Sequence, residues 1–268
     1  MTNPQIDTFE KVIREKLPSH GDAVKAAEAI KSDAAIYGTT FSPEMERNLS
    51  LALERVVASL GNVEILRKNS LIKPKEDWYT GPSSFDRHWP ALKGYLANVK
   101  GWDKDTVDSM ESSSSEVVSL LANPKAESFR HRGLVVGYVQ SGKTANMTAV
   151  IAKAVDAGYN LIVLLAGVTN KLRAQTQRRI ETDIVQRHRH LWQLYTEDKD
   201  NGDFVIPKNR QFTLPVEGGA QLVVMKKIPS RLEAFRKTIK NGRNGTSSQI
   251  LRHLKVLIID DECDQASV

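Results

Sequence analysis

Apolar residues recur with two different periods, and the change between them divides the sequence near residue 130. Before that point they follow the three-to-four spacing of an amphipathic helix, as in Phe9, Val12 and Ile13. After it, short apolar runs alternate with stretches of helical spacing. Buried strands that alternate with helices are typical of a parallel α/β sheet. We therefore predict an all-α N-terminal region, residues 1–130, and an α/β core, residues 131–268.

The N-terminal region is expected to be helical over residues 1–62. Pro18 is predicted to end the first helix, and Ser42-Pro43 to begin a later one as an N-cap followed by proline in the first turn. Residues 68–90 carry three prolines and a glycine, which is typical of a connector. Short helices are then expected at 89–98, 103–110 and 115–121. None of these segments carries recognisable chemistry, so a scaffold or a partner contact is the simplest role.

The core is expected to contain four strands and three intervening helices. The predicted strands are LVVGY (134–138), YNLIVLLAG (159–167), QLVVM (221–225) and VLIID (256–260). The predicted helices are one that closes at Gly158, one at about 170–187 and one at about 230–240.

Residues Gly137–Thr144 spell G-x-x-x-x-G-K-T, the pattern of a phosphate-binding loop. Glycines allow the backbone to curl so that consecutive N–H groups face an anion, and the next helix offers its positive N-terminal end. Lys143 would bridge the β- and γ-phosphates, and the Thr144 hydroxyl would bind Mg²⁺. The motif follows an apolar run and opens an amphipathic stretch, which favours a nucleotide loop over an ordinary strand-to-helix turn. The candidate nucleotide-binding residues are Gly137, Gln140, Ser141, Gly142, Lys143 and Thr144.

A second motif, KVLIIDDECDQAS, places acids at the end of an apolar run. Ligands of open α/β sheets bind at the carboxyl ends of the strands. Asp261 would hold Mg²⁺, and Glu262 would orient or deprotonate the attacking water as the catalytic base, beside Lys143. Asp260 and Asp264 are further candidates for the same acidic cluster. An acidic strand end near solvent is the alternative interpretation.

The net charge of +6 is concentrated in two windows. Nine Lys or Arg and one acid lie between Met225 and Lys255, and six Lys or Arg and two acids between Ala166 and Trp192. Such stretches suit an anionic partner, and nucleic acid is the commonest large one, although a solvated basic face is equally compatible. The candidate nucleic-acid contacts are Thr169, Asn170, Lys171, Arg173, Gln175, Lys226 and Lys227.

Other chemistry finds little support in the sequence. The single cysteine, Cys263, excludes an intramolecular disulfide and a cysteine-rich metal site. Glu197-Asp198-Lys199 has the spacing found in metal-dependent nucleases, but its charged surroundings favour a loop. No apolar run reaches the length of a membrane span, and the first residues contain no apolar signal segment, so we expect a cytoplasmic protein.

The loop and the acidic box together resemble those of superfamily-two helicases and translocases, in which the box is Asp-Glu-x-Asp; here it is Asp261-Glu262-Cys263-Asp264. More specifically, GYVQSGKTANMTAVIAKAVDAGYNLIVLLAGVTNKLRAQTQRR and VLIIDDECDQAS are similar to the Z-one domain family, over about residues 75–268. That family occurs in bacterial proteins described as endonucleases and in helicase-like subunits of restriction systems. The resemblance implies a P-loop NTPase (RecA-like) fold, with ATP and Mg²⁺ as cofactors.

The resemblance also implies DNA and a nuclease or other subunit of a restriction or defence system as partners. We therefore expect a helicase- or translocase-like ATPase that gates or assists a nuclease; a non-hydrolysing nucleotide-binding scaffold that recruits a nuclease remains the alternative. In the ATPases it resembles, a further strand and a second domain follow the acidic box. We expect the missing C-terminal part of a longer protein, or a partner, to complete the fold, and this chain alone to hydrolyse ATP poorly.

Overall fold

The computed structural model describes residues 3–38, 40–60, 78–135, 143–205, 213–240 and 247–261. Its helices are α1 (Pro4–His20), α2 (Ala23–Ile36), α3 (Pro43–Leu60), α4 (His88–Asn98), α5 (Lys104–Ser119), α6 (Lys143–Asp156), α7 (Asn170–Asp183), α8 (Pro229–Lys240) and α9 (Ser247–His253), with 3₁₀ turns at Val185–Arg187 and Arg189–Leu191. Its strands are β1 (Leu161–Ala166), β2 (Trp192–Leu194), β3 (Ala220–Met225) and β4 (Val256–Asp261).

The chain divides into two compact units, each built from several segments of the sequence. One unit holds residues 1–80, 93–120 and 132–150, and the other holds 81–92, 121–131 and 151–268. Up to residue 135 the regular structure of the described residues is entirely helical, whereas the strands all belong to the second unit.

Helices α1, α2 and α3 pack around a small apolar core. Asn3 caps α1 by accepting a hydrogen bond from the N–H of Gln5, and Asp22 caps α2. Alanine forms much of the interior, which allows the helices to approach closely. The buried members are Ile6, Ile13, Ala23, Ala26, Ala27, Ile30, Leu49, Ala52 and Val56.

Two predicted helix boundaries in this region are wrong. Pro18 does not end α1, which continues to His20 and stops at Gly21 in the left-handed conformation (φ 68°). A proline in the last turn deletes only one N–H, so the helix tolerates it. Residues 104–119 form the single helix α5 rather than two helices, and within it Ser113 and Ser114 donate their hydroxyls back to the carbonyl of Met110. The predicted start of α3 is confirmed, with the N–H of Met45 donating to Ser42 Oγ at 3.2 Å.

The second unit contains a parallel four-stranded sheet in the order β2-β3-β1-β4. β1 lies between β3 and β4, with Leu161 opposite both Gln221 and Val256. The predicted strands at 159–167, 221–225 and 256–260 are confirmed, and so is the mixed α/β class. For the run 134–138, Leu134 and Val135 are exposed and lie outside the strands, while residues 136–138 fall outside the described ranges.

One face of this sheet is covered by α8 and α9. The buried core on this side includes Leu161, Val163, Val223, Phe204 and Phe235, and the rings of the two phenylalanines meet edge to face at 5.3 Å. β4 is the edge strand on the side of β1, and its Ile258 is 58% exposed. All three inter-strand pairings are parallel, so the carboxyl ends of the strands lie at one edge of the sheet.

None of the helices that the structure describes is both long enough and apolar enough to cross a membrane.

Candidate functional site

The phosphate-loop motif ends where a helix begins. α6 starts at Lys143, immediately after the second glycine of the motif, and Thr144 is half-buried in its first turn. One turn further on, Asn146 Nδ2 donates to Ser113 Oγ on α5 at 2.8 Å, which fixes the start of α6. Gly137, Gln140, Ser141 and Gly142 lie outside the described residues, and so does the side chain of Lys143. The described part therefore provides the helix N-terminus that the motif predicts.

The acidic box begins at the carboxyl end of β4, as the sequence predicts. Asp260 and Asp261 are the last two residues of this strand and lie beside Leu165 and Ala166 of β1. Successive side chains of a strand point to opposite faces, so the two carboxylates lie on opposite sides of the sheet. Glu262 and Asp264 lie outside the described residues.

Asp260 is held by a buried lysine. Lys227 Nζ lies 2.6 Å from Asp260 Oδ1, and the lysine side chain is only 6% exposed. The N–H of Lys227 also donates to the carbonyl of Gly167 at 3.0 Å, so the turn after β3 is fixed against the end of β1. This placement corrects the expectation that Lys227 contacts DNA, because its charge is used inside the protein.

The N-terminal part of α7 is only partly available to a ligand. Thr169 caps the helix by accepting from the N–H of Leu172, and Asn170, Lys171 and Gln175 are exposed. Arg173 is fully buried, with Nη2 donating to the carbonyl of Lys199. Its Nε and Nη1 have no hydrogen-bond partner among the described residues, and burial lowers the pKa of its guanidinium. Arg173 is therefore not the surface phosphate contact that the sequence suggested.

The carboxylate of Asp203 lies near the end of β3 and pairs with two basic side chains. The side chain of Asp203 is 3% exposed, and its Oδ2 lies 3.7 Å from Lys226 Nζ and 3.4 Å from Arg231 Nε. Asp203 Oδ1 also accepts from the N–H of Phe204 at 2.7 Å. Lys226 thus pairs within the fold, and its role as a DNA contact stays a prediction. This cluster has no local signal in the sequence, because Asp203 lies in a charged run of ordinary loop composition.

The Glu-x-Lys sequence lies in an exposed loop, in agreement with the sequence interpretation. Lys199 Nζ pairs with Glu197 Oε2 at 3.0 Å, and both side chains are more than 60% exposed. The loop closes tightly at Gly202, where an added Cβ would lie 2.3 Å from the carbonyl oxygen of Glu197. Its charges therefore face solvent.

Asp156 organises a second polar centre that sequence reasoning missed. Its carboxylate accepts hydrogen bonds from the backbone N–H groups of Arg87, His88 and Trp89, at 2.8–2.9 Å. Asp156 thus caps the N-terminus of α4 from a distant part of the chain. The same Trp89 ring lies 4.2 Å below the ammonium of the buried Lys153. The long sequence separation leaves no local signal for this cap.

His88 is a buried, neutral member of this centre. Its Nε2 lies 3.0 Å from the carbonyl of Gly218 and must donate, since a carbonyl only accepts. Burial lowers the pKa of His88, and its ring packs edge-on against Trp192 and His188. Within the described ranges no three His, Cys, Asp or Glu side chains form a metal-binding group.

Comparison of the chain with family models, curated proteins and solved structures gave no match, so the site is interpreted from its own residues.

Proposed function

We propose that this chain is a nucleotide-dependent ATPase component of a DNA-processing system of the restriction or defence type, with a P-loop NTPase core. The observation that carries the proposal is the pairing of two motifs with their local structure: a G-x-x-x-x-G-K-T loop that opens α6, and an acidic box at the carboxyl end of a parallel strand. Either motif alone is a weak indication. Together they match what binding and hydrolysis of a nucleoside triphosphate require.

The residues would divide the chemistry as follows. The N–H groups of the loop, the end of α6 and the Lys143 ammonium would hold the phosphates. Glu262 would accept a proton from the attacking water. Adenine as the base follows from the family resemblance, since no base-reading motif is visible.

Thr144 and Asp261 supply a hydroxyl and a carboxylate oxygen, which are the hard ligands that Mg²⁺ prefers. Mg²⁺ commonly takes only one or two protein oxygens beside phosphates and water, so these residues fit the ion although the described part holds no larger group. When bound, the ion would neutralise charge on the phosphates.

DNA is the proposed partner of the surface at the start of α7. Asn170, Lys171 and Gln175 are exposed there and offer donors of the kind that bind phosphates. This surface is smaller than the sequence predicted, because Arg173, Lys226 and Lys227 are engaged inside the fold. A nuclease subunit remains part of the proposal through the family resemblance alone.

Nucleotide binding and ATP hydrolysis, each measured with and without DNA, test the proposal. Lys143→Ala should abolish nucleotide binding, and Glu262→Gln should preserve binding while it lowers turnover by about 10²-fold or more. Lys125→Ala, at an exposed position, is the matched control for a lost positive charge. Binding that survives Lys143→Ala would contradict the proposal. Binding without turnover in any condition would favour the non-hydrolysing scaffold.

A further inference from the structure

The end of β4 carries two aspartates with different surroundings. Asp260 lies on the same face of the strand as Val256, which packs with the core under α8 and α9. Asp261 points to the opposite face and forms no ion pair with the residues that the structure describes. The strand geometry therefore separates two carboxylates that are adjacent in sequence.

The ion pair with Lys227 distinguishes Asp260 from Asp261. The turn after β3 is anchored on Gly167 at the end of β1, and from there the lysine reaches Asp260 on β4 at 2.6 Å. The lysine side chain is buried whereas that of Asp260 is 44% exposed, so removing the carboxylate would leave a buried cation without this partner. The contact thus spans the carboxyl edge from β3 to β4, across the end of β1.

We propose that Lys227 is a positioning residue of the acidic box: it neutralises Asp260 on one face of β4 and leaves Asp261 as the carboxylate that binds Mg²⁺. This inference rests on the proposed nucleotide site. It assigns ion pairing to Asp260 and metal binding to Asp261, and it gives the lysine a role that the sequence did not suggest.

The electrostatic reason is the charge of the nucleotide. Two unpaired carboxylates at the strand end would repel the triphosphate. When Asp260 is paired, only the negative charge of Asp261 remains to bind Mg²⁺. Loss of the lysine should therefore weaken nucleotide binding even without metal. Loss of Asp260 should strengthen it. A pair with a purely structural role would not produce opposite signs.

Binding of a fluorescent ATP analogue, methylanthraniloyl-ATP, in EDTA and in Mg²⁺ tests this assignment. In EDTA, Lys227→Met should weaken binding by about tenfold, Asp260→Asn should tighten it, and the double variant should return to within about threefold of the unaltered chain. Lys227→Arg should retain the affinity, because it keeps the charge. Asp261→Asn should remove the gain in affinity that Mg²⁺ provides, while Asp260→Asn should keep it.

Thermal unfolding of each variant separates these effects from loss of fold. Opposite signs for Lys227→Met and Asp260→Asn, with both variants folded, would support the proposal. Shifts of the same sign, or loss of the Mg²⁺ gain in Asp260→Asn instead of Asp261→Asn, would overturn it while leaving the nucleotide site in place. Failure of the unaltered chain to bind the analogue in either buffer would overturn the proposed function, and this inference with it.

Discussion

The cluster of α1–α3 and the parallel sheet use charged residues in different ways. In the helical cluster the interior is apolar, and ion pairs such as Lys16–Asp33 and Lys31–Glu46 lie on the surface. In the sheet unit, Arg173, Asp203 and Lys227 are buried around the carboxyl ends of the strands. Buried charges are costly and weak sources of stability, so their concentration at one edge of the sheet points to function. The helical cluster shows no such concentration.

Arg55 and Lys100 are buried charged residues of the helical unit, and the contacts of Arg55 show a structural purpose. Its side chain is 8% exposed and reaches outward to Asp7 at 2.9 Å. Its Nε donates to the carbonyl of Lys100, beside Gly101, where a Cβ would lie 2.2 Å from the guanidinium. Arg55 thus ties α3 to the end of α4, and a methyl group at position 101 would break the tie.

The largest expected effects come from the apolar cores, where the two regions should behave alike. Phe204→Ala in the sheet unit should lower the free energy of unfolding by about 3–5 kcal/mol, and Ile13→Ala in the helical unit by about 2–5 kcal/mol. Both side chains are fully buried. Phe85→Ala is the control, because Phe85 is 90% exposed and should change stability by less than about 0.5 kcal/mol. Urea unfolding measures all three, and an unaffected Phe204→Ala would contradict the described core.

The next largest loss of stability is expected when the Asp156 cap of α4 is removed. Asp156→Ala removes the acceptor of three backbone N–H groups and should lower the free energy of unfolding by about 2 kcal/mol. Glu217→Ala removes an exposed carboxylate and should have almost no effect. Thermal or urea unfolding of the two variants gives the comparison. Equal losses in both would mean that net charge, rather than the cap, matters.

The stability of the sheet unit should depend on pH through Tyr159. Burial raises the pKa of Tyr159 to about 12, although its hydroxyl donates to the carbonyl of Ala122 at 2.6 Å. The unfolded chain ionises near the ordinary value of about 10, so this contribution to stability is complete below that pH and is lost as pH rises toward 12. Tyr159→Phe should cost about 1 kcal/mol near neutral pH. Its stability should then fall less steeply in alkali; parallel pH curves would contradict the buried hydroxyl.

The smallest effects are expected from the surface pairs of the helical cluster. Lys31→Ala should change the free energy of unfolding by less than about 0.5 kcal/mol, because both members of its pair are about half exposed. Lys16→Ala should behave similarly. The measurement is urea unfolding at low and high salt, and a loss above about 1 kcal/mol would show that these pairs do contribute to the cluster.

The long apolar runs made most of the sheet predictable. β1 and β3 are buried parallel strands and β4 is a partly exposed one, and the continuous apolar residues of all three stand out between polar segments. β2 was missed because only three of its residues pair, and α9 because seven residues are too few to show a period. The single helix α5 was predicted as two helices, and the local bonds from the hydroxyls of Ser113 and Ser114 to Met110 lie inside it.

The positions of the two motifs of the candidate site were predictable from the sequence. The partners of its buried charged side chains were not. The start of α6 and the end of β4 fall where the loop and acidic box require them. The burial of Arg173 depends on a carbonyl 26 residues away, and that of Lys227 on an aspartate in another strand. Such partners are set by the folding of distant segments, so a basic sequence window alone does not identify a basic surface.

The edge position of β4 has a consequence for the rates at which its amide protons exchange with solvent. Among the described strands β4 pairs only with β1, so its backbone N–H groups alternate between those that point to β1 and those that point away. The first set should exchange slowly with deuterium and the second rapidly, a pattern of period two. β1, which has a neighbour on each side, should be protected at every position. Residue-resolved exchange would therefore show whether anything else covers the strand that carries the acidic box.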